Sequence, residues 1–335
     1  MRKIIYICLL AIFFGGCTNS EEPIGSEGME VRILPRVENT STVDTRAIIT
    51  GTEFPGGSSV GLAIYNTSTT NPHRAGYDRI KAIYNGVTWA YYVDGSNTSA
   101  KLQGYDKIKL DVVGYYPYND LVTDVAKVPF RVGNTEATNE DYMWAYQANQ
   151  TIAQQPITLE FKHLMTCLEF RIRKLYAGPK LTIKSIVYSI AGRDFVVAGT
   201  YDAKTGEITA TMTENKFGVV FDKTIKQSID YPNLTTEVAS CAVMMPELIM
   251  TSAGSDATVS ATIDFDNESL INNGGTYTFK LSEVVDSSGT KGLLAGKKYV
   301  VGVDVSNFVK YAGFPVCVDW LEDADETITF PIEVE

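Results

Sequence analysis

The chain has 335 residues, a length that suits about two domains, and 44% of them are hydrophobic against 21% charged, so a sizeable core is possible and general disorder is not expected. A formal net charge of −11 removes long-range attraction to phosphate backbones, which makes nucleic acid a poor partner. Tyr, Thr, Val, Ile, Gly and Asn are frequent and long runs of Ala, Leu, Glu and Lys are absent, a balance that favours strands and turns over helices.

At the start, Arg2 and Lys3 precede an unbroken apolar run from Ile4 to Phe14. That run is too short to cross a bilayer core of roughly 30 Å as a helix. With Gly15 and Gly16 behind it, it reads as a secretory signal peptide covering residues 1–16. The sequence Phe14-Gly15-Gly16-Cys17 resembles a bacterial lipoprotein signal, with Phe14 in the place of the usual Leu. The resemblance implies cleavage before Cys17 and acylation (palmitate) of that residue, hence anchoring in outer-membrane lipid without a span. An ordinary secretory signal with an incidental Cys is the other reading. Ser20-Glu21-Glu22 resembles a surface-export stretch, or is a polar spacer. Residues 17–28, containing Pro23, Gly25 and Gly28, form a tether.

Met29 to Leu34 alternates, Pro35 interrupts and Val37 follows, which predicts a strand with an edge-type proline. Glu38 to Thr45 is a polar loop closed by Arg46, so residues 29–46 make a first strand and an accessible loop. Short strands separated by turn signals follow, among them Val60 to Tyr65, Ile80 to Tyr84, Val87 to Val93, Ile108 to Gly114, Tyr142 to Gln147 and Ile157 to Phe161. Asn85-Gly86 is the tightest hairpin signal. The style repeats from Leu168 to Asp319, and a single helical turn is expected at His163 to Cys167. The fold class predicted is all-β, two tandem β-sandwich domains at 47–160 and 161–335.

Catalytic chemistry finds little support. His73 and His163 are isolated, and no Cys-x-x-Cys pair, nucleophile elbow, P-loop or dinucleotide fingerprint occurs, so no metal site and no cofactor are expected. Asp264-Phe265-Asp266 and the group Asp323, Asp325 and Glu326 read best as solvated strand and loop faces. Cys167, Cys241 and Cys317 each sit in an apolar run and read as small buried hydrophobes. Tyr115-Tyr116-Pro117-Tyr118 reads as a strand end whose rings cover the core edge, or else as a carbohydrate platform.

Several dispersed motifs share an order that resembles the fimbrillin superfamily, the subunits of type V pili. They include Arg46-Ala47 with Thr52-Glu53-Phe54-Pro55-Gly56-Gly57, Val87-Thr88-Trp89, Leu110 to Tyr118, Asp141 to Ala145, Phe161-Lys162-His163-Leu164, Gly199 to Asp202, Val243 to Pro246 and Leu294 to Tyr299. The resemblance implies two transthyretin-like sandwiches and a structural role in a fimbrium at the cell surface, in adhesion and not as an enzyme. It implies that an Arg-specific surface protease cuts between Arg46 and Ala47, removing the strand Met29 to Val37, and that other pilus subunits fill the vacated groove by strand exchange. A plain loop Arg is the alternative for Arg46. The donor strand would be the final segment, with Ile328, Phe330, Ile332 and Val334 facing the groove, or that segment is an ordinary edge strand. The competing function is a surface glycan-binding lipoprotein that does not polymerise, using a flat row of exposed rings at Tyr115, Tyr116 and Trp144.

Overall fold

The computed structural model describes residues 28–38, 53–69, 71–174, 180–225, 238–250, 257–266, 274–286, 288–305, 310–312 and 315–318. Cys17, Arg46, Ala47, Ile328, Phe330, Ile332 and Val334 lie outside these residues. The described chain is all-β. Its helical elements are two single 3-10 turns, Glu136–Thr138 and Leu281–Glu283.

The first ten strands are β1 (Met29–Val31), β2 (Ile33–Val37), β3 (Ser59–Asn66), β4 (Ile80–Tyr84), β5 (Trp89–Val93), β6 (Leu102–Gly104), β7 (Leu110–Tyr116), β8 (Val128–Arg131), β9 (Met143–Gln150) and β10 (Ile157–His163). Seven of them form one sheet in the order β2-β10-β9-β7-β3-β4-β5. Its neighbours are antiparallel except for β2 and β10, which are parallel. The sheet curls until its two edges approach, and the Tyr91 hydroxyl on β5 donates a hydrogen bond to the Ile33 carbonyl on β2. Period-2 patterning makes this possible. In β10 the sequence Ile-Thr-Leu-Glu-Phe-Lys-His alternates strictly between buried and exposed. Ile157, Leu159 and Phe161 therefore join Leu62, Ile64 and Val112 in a core inside the curl.

The remaining strands are β11 (Met165–Lys174), β12 (Leu181–Ala191), β13 (Phe195–Tyr201), β14 (Ile208–Glu214), β15 (Lys216–Ile225), β16 (Val238–Pro246), β17 (Leu248–Ile249), β18 (Thr258–Asp266), β19 (Gly274–Lys280), β20 (Gly292–Leu293), β21 (Lys298–Val305), β22 (Lys310–Ala312) and β23 (Val316–Val318). The sheets β16-β11-β21-β22 and β15-β12-β18-β19 enclose a second core that includes Phe170, Ile186, Tyr188 and Val301. A third cluster, with Tyr115, Phe130, Met165, Tyr201 and Met244, packs the outer face of the first sheet against this second region. β8 crosses between them, since it pairs with β13.

Three local expectations change. The predicted helical turn at His163 to Cys167 is extended, because β11 starts at Met165 and pairs with β16 and β21 on both sides. Pro35 does not interrupt the first strand; the break between ladders falls at Arg32. The strands β6, β8 and β15 carry no clear sequence signal. In β15, Asp222 adopts φ 53° opposite a register shift in β12.

Candidate functional site

The first strand is seated, not loose. Val31, Ile33 and Val37 are 1%, 2% and 3% exposed and belong to the first core. Pro35 is buried on the same face, while Arg32 and Arg36 are exposed between them. Burying three branched aliphatic side chains stabilises the seated strand by about 2 kcal/mol each before chain entropy is counted.

Its main chain is engaged along its length. β1 is antiparallel to β6, with Val31 opposite Leu102. β2 is parallel to β10, with Ile33 opposite Ile157 and Val37 opposite Phe161. Gln155 bridges the change of partner. The Arg32 N–H donates to Gln155 Oε1 at 2.7 Å, and Gln155 Nε2 donates to the Glu30 carbonyl at 3.1 Å. The Ile157 N–H then donates to the Arg32 carbonyl at 2.8 Å, and the Glu38 N–H to the Phe161 carbonyl at 2.9 Å. Arg32 and Arg36 thus lie on a paired backbone.

These bonds also account for the proline. In a strand, successive residues direct their N–H and C=O groups to opposite sides. Arg32 and Glu38 bond towards β10, so Leu34 and Arg36 share that side, and Ile33, Pro35 and Val37 face the free edge of the sheet. The missing N–H of Pro35 therefore costs no ladder bond. The Ile33 carbonyl on that edge is capped by Tyr91, whose hydroxyl is pushed up to about 12 by burial, with a further contribution from the Glu30 charge.

Beside β2 runs a groove of about 380 Å³, closed on its far side by Tyr84, Trp89 and Tyr91. Phe54 forms its floor. Its ring centroid lies 5.5 Å from that of Trp89 and 5.2 Å from that of Phe161, both edge-on. Phe54 belongs to the turn Phe54-Pro55-Gly56-Gly57, where Gly57 takes φ 94°, a conformation open to glycine. Sequence patterning exposed neither Gln155 nor Tyr91, since a lone amide and a lone hydroxyl carry no periodic signal.

The other candidates resolve as structural. His73 is 7% exposed and its Nδ1 lies 2.6 Å from Asn66 Oδ1, while His163 is 8% exposed and its Nδ1 lies 2.8 Å from Asp141 Oδ2. Among the described residues no group of three or more His, Cys, Asp or Glu is placed to hold a metal ion. Cys167 and Cys241 are free and buried in different clusters. Burial pushes the Cys167 thiol up and carries that of Cys241 to about 12. The flat row of rings does not form. Tyr115 is 4% exposed in the junction cluster, whereas Tyr116, its neighbour on β7, packs against the opposite core. Trp144 is packed by Lys162, whose Nζ is 5.4 Å from the ring centroid, and by Gly206, where a Cβ would lie 2.4 Å from the indole nitrogen.

A sequence profile described as fimbrillin-like matches residues 45–320. The chain belongs to the fimbrillin-like family. It is accordingly a pilus or adhesion subunit of the cell surface and not an enzyme. No curated protein matches it by sequence. Among solved structures it is similar in fold to a protein of Bacteroides ovatus assigned to cell adhesion, at 15% identity and a TM-score of 0.59, covering 89% of this chain and 100% of that one. A protein of Bacteroides uniformis with the same assignment gives 18% identity and a TM-score of 0.53, covering 80% and 93%. At this identity the likeness speaks to the fold.

Proposed function

We propose that this fimbrillin-like chain is exported as a lipoprotein acylated at Cys17, is cut between Arg46 and Ala47, and polymerises by strand exchange into a fimbrium on the outer membrane. Residues 47–160 and 161–335 then act as two tandem sandwiches; a core in the first sheet and another between the later sheets support two units, with Phe161, at the start of the second span, belonging to the first core. The observation that carries the reading is the seated first strand. β1 and β2 fill an apolar slot at a sheet edge, and Arg46 follows them in sequence. Cleavage at Arg46 would release the covalent hold on the plug. The emptied slot would expose the core together with the unpaired edge of β10, a state that favours capture of a strand from another subunit.

The test is digestion of the folded, full-length protein with an Arg-specific protease. The expected result is one cut after Arg46 followed by SDS-resistant ladders. A stable uncut monomer, or a cut monomer that never assembles, would refute the proposal. Loss of fatty-acid labelling in C17A tests the anchor independently.

A further inference from the structure

We infer that the strand entering the slot from a second copy runs antiparallel to β10, opposite in direction to the strand it displaces; this rests on the strand-exchange reading above. The reason lies in where each segment carries its proline.

In a strand of L-residues the side-chain face and the side to which N–H and C=O point are coupled through the strand's direction. Reversing the strand while keeping the same side chains inward exchanges the two hydrogen-bonding sides. The sheet displays both cases around β10. In parallel β2, the inward residues Ile33, Pro35 and Val37 point their backbone groups away from β10, as the bonds of Arg32 and Glu38 to β10 establish. In antiparallel β9, the residue paired with Lys162 is Trp144, which packs on the outer face of the sheet. On the side facing the slot, β10 offers the groups of its inward residues, Ile157 donating and Phe161 accepting.

The first strand has its proline in the inward phase, and in a parallel strand that phase faces the free edge. The segment Thr327 to Val334 has the reverse arrangement. Ile328, Phe330, Ile332 and Val334 form the apolar phase, and Pro331 stands in the other one, with Thr329 and Glu333. Inserted parallel with its apolar phase inward, this segment would turn Pro331 towards β10 and lose a ladder bond there. Inserted antiparallel, it turns Pro331 to the free edge and loses none. Its inward residues then exchange bonds directly with Ile157, Leu159 and Phe161. Each segment is free of a lost ladder bond in only one direction, and the two directions are opposite. Exchange also replaces slanted parallel bonds by straight antiparallel ones, which are slightly more stable per residue, so it gains a preferred direction.

The test is disulfide trapping in polymers grown from the processed full-length protein. Thr158 and Lys162, exposed at opposite ends of β10, stand about 13 Å apart. With Phe330 opposite Phe161 and Val334 opposite Ile157, the variants T329C/K162C and E333C/T158C are expected to give reductant-sensitive covalent ladders, while T329C/T158C and E333C/K162C remain uncoupled. The inverse pattern overturns the inference. Polymers that form with all four pairs uncoupled also overturn it, because the segment is then not in the slot, yet they leave polymerisation standing. If the processed parent chain forms no polymer, the strand-exchange reading itself fails. SDS-resistant ladders of each variant under reducing conditions verify that assembly survives the substitutions.

Discussion

Replacing Ile33 by Ala tests whether the first strand belongs to the folded core. Ile33 is 2% exposed, in a cluster with Phe54, Leu159 and Phe161. The substitution removes three carbons, worth about 0.8 kcal/mol each in transfer, and leaves a cavity against a sheet that relaxes only in part. About 3 kcal/mol of destabilisation follows, a large share of a typical domain's ~5–15 kcal/mol. Urea unfolding followed by tryptophan fluorescence reads it well, since Trp89 lines the groove beside β2. With a slope of about 2 kcal/mol per molar urea, the midpoint falls by about 1.5 M. Arg36→Ala, on the exposed face of the same strand, is the control and shifts stability by less than about 0.5 kcal/mol. Superimposable curves for I33A and R36A would show that the strand does not share the core's free energy, and the plug reasoning would fall.

Tyr91→Phe uncaps the Ile33 carbonyl and is expected to cost about 1 kcal/mol in the same unfolding assay. Because burial holds this hydroxyl near 12, the loss should be constant from neutral pH to about 10. Gly61→Ala places a Cβ 2.0 Å from the Tyr115 ring packed across the strand pair, and about 1–3 kcal/mol of overpacking should appear as a lower Tm in calorimetry. His73 is held down to about 4 by burial and by the Arg74 charge, against 6.5 when unfolded. Between those values the unfolded chain binds the proton that the folded chain refuses. The contribution of His73 is therefore fully present above pH 6.5 and is lost as the pH falls towards 4. Titrating stability across that window should give a shallower slope for His73→Gln than for the parent; equal slopes would contradict the assignment.

Much of the site could be read along the chain. The alternation of Val31, Ile33 and Val37 with Arg32 and Arg36 marks one apolar face, and β1 and β2 together realise it. Asn85-Gly86 marks the β4–β5 turn, where the Asn85 side chain accepts from the N–H groups of Val87 and Thr88 and Gly86 takes φ 92°. Such features are local. They depend on side-chain period and on the backbone freedom of single residues, and both are written in consecutive positions.

Partnership was decided elsewhere. Period 2 is the same for parallel and antiparallel neighbours, so alternation cannot reveal that β2 lies beside β10, whose approach is held by an Arg32–Gln155 bond spanning 123 positions. Nor could it reveal that the ladder breaks at Arg32, where the strand changes partner, and not at Pro35, whose absent N–H faces an edge that requires none. Tyr115 and Tyr116 look like one aromatic patch in sequence, yet the pleat sends them to opposite cores. Composition and period determined that this chain is built of strands, the first of them with one apolar face. Only the closing of the sheet decided which edge receives it and in which direction, because that choice depends on backbone groups brought together by long-range contacts.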